Sequence, residues 1–112
     1  MSERIDFSVF QQVDMRVGLI VAVEDAEGCR VPAWRLTIDL GAELGTKRSI
    51  AQAKNYPPET LIGKQVLAVV NLNPRQVGRH VSEVLTLGVP TEGKGTALIV
   101  PDMPAIPGGR LF

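Results

Sequence analysis

Between residues 71 and 88 the chain reads NLNPRQVGRHVSEVLTLG. Asn71, Asn73, Arg75, Gln76, Arg79, His80, Ser82 and Glu83 crowd into this one connection. Their chemistry is recognition: amides and a hydroxyl that donate and accept hydrogen bonds, and guanidinium groups that attract anions. Apolar runs flank the segment, Val66-Leu67-Ala68-Val69-Val70 before it and Val84-Leu85-Thr86-Leu87 within its end. A folding core has no use for so many hydrogen-bonding side chains in one connection. Loops held by a rigid scaffold are where binding residues collect, so the segment reads as the working edge of the molecule. A solvated loop with no further purpose is the competing explanation.

Charge supports the first explanation. The 112-residue chain is neutral overall, with 12 Lys+Arg and 12 Asp+Glu, which argues against a general nucleic-acid binder. The distribution is uneven. Residues 1–45 carry eight acids and four bases; residues 46–80 carry Lys47, Arg48, Lys54, Lys64, Arg75 and Arg79 against Glu59 alone. If folding gathers this excess on one face, that face attracts phosphate.

Catalysis finds few candidates. His80 is the single histidine and Cys29 the single cysteine, far apart in sequence. No metal-ligand spacing, P-loop, GxGxxG or GxSxG occurs, so no catalytic residue, cofactor or metal is expected. One cysteine forms no intrachain disulfide and fits a reducing compartment. No signal segment opens the chain, and no apolar run approaches the roughly 20 residues that span a bilayer. The expected location is the cytoplasm, without membrane insertion.

The elements that must position these residues are mostly strands. Ile5–Gln12 reads as a short helix that Asp6 or Ser8 could cap, with Phe7 and Phe10 on one side. Asp14–Val23 is a strand in which Gly18 suggests a bend or bulge. Trp34, Leu36, Ile38 and Leu40 alternate with Arg35, Thr37 and Asp39, the mark of a half-buried antiparallel strand. Gly41 and Gly45 frame a turn, and Thr46–Gln52 returns with Lys47 and Ser49 on one face, Arg48 and Ile50 on the other. Pro57–Gly63 suits one helical turn. Gln65–Val70, a strand from about Glu83 to Leu87, and Thr96–Val100 complete the set. The Pro- and Gly-rich tail, residues 101–112, is neither regular helix nor central strand, but its Met103, Ile106, Leu111 and Phe112 should pack on a surface. With 45% hydrophobic residues, the expectation is one domain over residues 1–112. It is all-β: a five-stranded OB-fold Greek-key barrel with a short N-terminal helix and a C-terminal extension.

Such barrels bind single strands with cations and stacking aromatics. Aromatic residues are only 4% of this chain. Trp34, alternating with core positions, reads as barrel interior or pocket wall before base stacking. Nucleic-acid recognition would then rest on phosphate contacts and on hydrogen bonds from Gln52, Asn71, Asn73 and Ser82. Apolar peptide binding is a second possibility, because Val31-Pro32-Ala33-Trp34 places an apolar patch beside a turn.

Several ordered motifs carry a resemblance: Asp14-Met15-Arg16-Val17-Gly18; Arg30-Val31-Pro32-Ala33; Lys47-Arg48-Ser49-Ile50-Ala51-Gln52; Gly63-Lys64-Gln65-Val66; Asn71-Leu72-Asn73-Pro74-Arg75; and Ser82-Glu83-Val84-Leu85. Over essentially its whole length the chain resembles the tRNA-binding-domain family of OB-folds, and within it the export-related CsaA chaperone branch. The resemblance implies a homodimer whose interface draws on residues 1–13 and 101–112, hence on Phe7, Phe10, Met103, Ile106, Leu111 and Phe112. It implies tRNA binding through Lys47, Arg48, Gln52, Asn71, Arg75 and Ser82, extending to Lys54, Asn73, Arg79 and Glu83. It implies partners among unfolded or presecretory polypeptides and the export machinery, met by an apolar pocket that could use Val31, Ala33 and Trp34. A trans-acting tRNA-binding cofactor of a synthetase is the alternative role. One departure stands out: many relatives carry Ser-x-Gly-Met where this chain has Ser82-Glu83-Val84-Leu85. Glu83 brings a carboxylate to the expected phosphate groove, where it could accept a hydrogen bond from a base edge or weaken RNA binding.

Overall fold

The structure, a computed structural model, describes residues 2–112. A short helix, α1 (Phe7–Gln11), leads into the long strand β1 (Met15–Asp25). Then follow β2 (Trp34–Asp39), a helical turn α2 (Gly41–Leu44), β3 (Thr46–Ala51), a second turn α3 (Pro58–Leu61) and β4 (Gln65–Val69). Five short strands complete the chain: β5 (Arg75–Val77), β6 (His80–Ser82), β7 (Leu85–Thr86), β8 (Gly88–Pro90) and β9 (Thr96–Leu98).

The main sheet has five antiparallel strands in the order β3-β2-β1-β4-β7. It curls into the expected nearly closed OB-type barrel. The period-two alternation of β2 is realised as read: Leu36, Ile38 and Leu40 are buried, joined by Ile20, Leu61, Val66, Ala68 and Val84. Ladder bonds do not join β3 to β7. Single bonds hold that side of the barrel instead: Ile50 N–H donates to Ser82 Oγ at the end of β6 at 3.0 Å, Glu83 N–H to Arg48 O at 2.8 Å, and Thr86 Oγ1 of β7 to Ser49 Oγ at 2.8 Å.

β1 serves two neighbours because it bends. Its pairing with β2 shifts register between Ile20 and Ala22, a bulge that increases local twist. Gly18, the residue read as a bend, has a different task. A Cβ there would overlap the Ile38 side chain and lie 2.9 Å from Leu40 Cδ2, so glycine lets the barrel wall close on its own core.

The turn framed by Gly41 and Gly45 takes the form of the helical turn α2 (Gly41–Leu44). Two local expectations change. The strand expected over residues 83–87 contracts to Leu85–Thr86. The polar connection is no simple loop, since Arg75–Val77 and His80–Ser82 pair as a hairpin. Alternation cannot reveal a hairpin that rides outside the barrel with few buried side chains. The tail lies against β1: Val17 N–H donates to Gly109 O, and Gly108 and Leu111 donate back to Val17 O and Met15 O, at 2.8–2.9 Å.

Candidate functional site

The hairpin β5–β6 turns through Gly78-Arg79, with Gly78 at φ 60°. A two-residue hairpin turn asks for that conformation, which glycine adopts without a Cβ penalty. The hairpin covers the outer face of β3, where Ile50, Ala26 and Ala33 form a second small core flanked by Cys29 and Val77. The loop after β1 grips its tip. Arg79 Nη2 lies 3.1 Å from Glu27 Oε2, and His80 Nε2 donates to Glu27 O at 2.8 Å.

Three hollows surround this hairpin. Lys47 and Arg48 are adjacent on β3 and so point to opposite faces. Lys47 enters a hollow of about 200 Å³ at the barrel mouth with Leu40, Leu72 and Pro74. Arg48 lines an outer hollow of about 480 Å³ with Arg35, Arg79 and His80. Pro74 and Glu83 line both hollows, so the two cations flank one ridge. The third hollow is a groove of about 680 Å³. Gln52 and Arg75 belong to it, together with Val31, Ala33, Ile50, Ala51 and Leu85. Two residue sets that the sequence assigns to different partners therefore share one groove.

Ion pairing sorts the cations. Among the described residues, Lys47, Arg48 and Arg75 form no ion pair. Lys54 is paired with Asp25 and lies 3.8 Å above the Trp34 ring. Arg79 is paired with Glu27.

Hydrogen bonding sorts the polar candidates. Asn71 is engaged at both ends of its amide: Oδ1 accepts from Asp14 N–H at 2.9 Å and Nδ2 donates to Gln12 O at 2.7 Å. It ties α1 to the end of β4. Ser82 is buried, accepts from Ile50 N–H and donates to Val84 O at 3.0 Å. Glu83 Oε1 accepts from Arg48 N–H at 3.0 Å. Asn73 and Gln52 are exposed. Trp34 lies outside the groove that holds Val31 and Ala33; its ring packs on the main core and Nε1 donates to Tyr56 O at 3.1 Å.

The terminal segments also divide. Phe7, Phe10, Leu111 and Phe112 line one hollow of about 270 Å³. Met103 lies in another, beside Leu19 and Lys64, and Ile106 projects from the tail at 79% exposure. Beneath the first hollow, Asp14 accepts from Arg16 Nε at 2.6 Å, and Arg110 Nε lies 3.5 Å away. The hydrogen bond from Arg16, aided by the charges of Arg16 and Arg110, holds the Asp14 carboxyl below its usual range against the opposing effect of burial.

Sequence reasoning did not single out Arg35, which stands in the outer hollow beside Arg48. Its Nη2 pairs with Glu24 at 2.9 Å, and its buried Nε has no partner among the described residues. Alternation in β2 had placed it on the outer face, and that was the available signal.

Known proteins resemble this chain in sequence and fold. Residues 15–110 match the family described as "Putative tRNA binding domain". The CsaA chaperone protein from Picrophilus torridus superposes with a TM-score of 0.92 at 40% identity, over 97% of this chain and 100% of that one. Chaperone CsaA from Bacillus anthracis str. Ames gives 0.90 at 42% identity, over 98% and 100%. A MetRS related protein from Pyrococcus horikoshii gives 0.85 at 27% identity, over 99% and 100%.

Proposed function

Because the chain belongs to the tRNA-binding domain family and is CsaA-like within it, we propose that it is a non-catalytic, homodimeric tRNA-binding protein that also holds unfolded polypeptides. Residues 1–112 act as one domain in the cytoplasm, and presecretory chains and the export machinery are its polypeptide partners. No helix of the described residues is long and apolar enough to cross a membrane.

One observation carries the tRNA reading. Lys47, Arg48 and Arg75, three cations with no ion pair among the described residues, surround a single hairpin. An unpaired cation loses no internal partner when it meets phosphate, and each phosphate it neutralises releases counterion. Asn73 and Gln52 supply exposed hydrogen-bonding groups beside them, suited to loop bases of a folded RNA. The test is a titration of bulk tRNA across salt concentrations. Affinity falling steeply with salt supports the reading; salt-insensitive binding, or none, removes it.

The groove favours the polypeptide reading as well. Its Val31 and Leu85 offer apolar surface over buried Ala33 and Ile50, and Arg30, Gln52 and Arg75 offer polar groups. That combination suits an extended chain. Val31→Ser, which removes apolar surface without adding charge, should weaken capture of an unfolded client more than it weakens tRNA binding. Unchanged capture would move the polypeptide site elsewhere.

A further inference from the structure

The barrel seam leaves a strand edge unused, and that edge lines the groove. Thr86 sits opposite Ala68 of β4. In an antiparallel ladder, alternate residues turn their N–H and C=O toward the partner and the residues between turn them away. Leu87 N–H donates to Leu67 O at 3.0 Å, so Leu87 is a bonding position and Thr86 is not. The same phase continues into β8. Ile99 N–H donates to Leu87 O and Thr91 N–H to Gly95 O, both at 3.0 Å, so Gly88 and Pro90 turn away from β9.

Thr86 N–H and C=O, Gly88 N–H and C=O, and Pro90 C=O therefore form one row. None of them has a hydrogen-bond partner among the described residues. Thr86, Gly88 and Pro90 all line the groove. Across it stands β5, itself paired on one side only. A free edge of this kind is a template for another chain.

We propose that the groove recognises polypeptide by strand addition: an extended segment pairs its backbone with the edge Thr86–Gly88–Pro90. This rests on the polypeptide-binding reading above and states how that binding works. The edge spans about 13 Å, enough to pair with about five extended residues. Backbone pairing is indifferent to side-chain identity, which suits a protein meeting many unfolded sequences. Alternate side chains of the bound strand face the floor made by Ala33, Ile50 and Leu85. Arg30 and Arg75, neither of them ion-paired, line the same groove, so acidic residues beside the apolar ones strengthen binding.

The test uses the full chain and a fluorescein-labelled octapeptide of alternating valine and threonine with an aspartate at each end. Two further peptides carry N-methyl groups on the backbone amides of one parity or the other. Strand addition predicts that one methylated set loses at least tenfold in affinity while the other binds like the parent. Amide exchange at Thr86 and Gly88 should slow in the complex. Equal binding of both methylated peptides, or unchanged exchange at those two amides, overturns strand addition and leaves a groove that reads side chains. Failure of the parent peptide to bind overturns the polypeptide reading itself.

Discussion

Arg48 and Glu83 hold each other through a paired contact: Glu83 N–H donates to Arg48 O at 2.8 Å, and Arg48 N–H donates to Glu83 Oε1 at 3.0 Å. The carboxylate takes the place of a missing strand neighbour at the free edge of β3. It also leaves the Arg48 guanidinium without an ion-pair partner. The acid that looked hostile to phosphate is spent on the backbone. Glu83→Ala should therefore lower stability by about 1–2 kcal/mol, as expected for a charge-assisted hydrogen bond at a partly exposed site. Glu83→Gln, which keeps an acceptor oxygen, should cost about half of that. A urea-denaturation midpoint that does not move for Glu83→Ala would show that the clasp contributes nothing.

The cations should separate into two groups in tRNA binding. Lys47→Ala, Arg48→Ala and Arg75→Ala should each weaken binding and reduce the slope of log K against log salt by about 1, the change for one lost phosphate contact. Lys54→Ala and Arg79→Ala should do less, because Asp25 and Glu27 already neutralise these side chains. Equal losses at all five positions would show that the ion pairs open on binding.

Trp34→Ala should act on stability more than on peptide capture. The ring packs on the barrel core, holds Tyr56 O and lies under Lys54. Truncating an aromatic in such a place costs about 3 kcal/mol, the partly buried ring standing at the low end of the range. A Trp34→Ala protein of unchanged thermal midpoint that no longer binds peptide would return Trp34 to the binding site.

Acid should loosen the contact between the tail and β1. The Asp14 pKa is lowered from 3.8, chiefly by the Arg16 hydrogen bond. A carboxylate with a depressed folded value contributes stability that is full above its unfolded value and lost as pH falls through the folded one. The stability difference between the parent and Asp14→Asn should thus be constant above about pH 5 and shrink below about pH 4. A difference unchanged down to pH 2 would assign the Asp14 effect to packing.

The aromatic cluster at the termini should join two copies. Phe7 is 66% exposed and Phe112 fully so, beside Phe10 and Leu111. A surface of this kind calls for cover. Light scattering should give about twice the 12.1 kDa chain mass, and Phe7→Asp with Phe112→Asp should halve it. A parent protein measured at the monomer mass would exclude the dimer.

Much of the fold was legible because its signal is local. Trp34 to Leu40 alternates with period two, and a strand buried on one face follows from that alone. The cation-rich stretch from Lys47 to Arg79 and the polar run from Asn71 to Glu83 were equally plain. The hairpin within that run was not, since its pairing contributes few buried side chains.

What the amino-acid order determined by itself was the barrel, its core alternation and the stock of groups available for recognition. Which of them are free, only the tertiary structure decided. Ser82 is used by Ile50, 32 residues away, Glu83 by Arg48, 35 away, and Asn71 by Gln12, 59 away. A buried or edge-facing polar group takes whichever partner the fold brings to it. Asn71, Ser82 and Glu83 thereby became struts, while Lys47, Arg48 and Arg75 met no acid and stayed available.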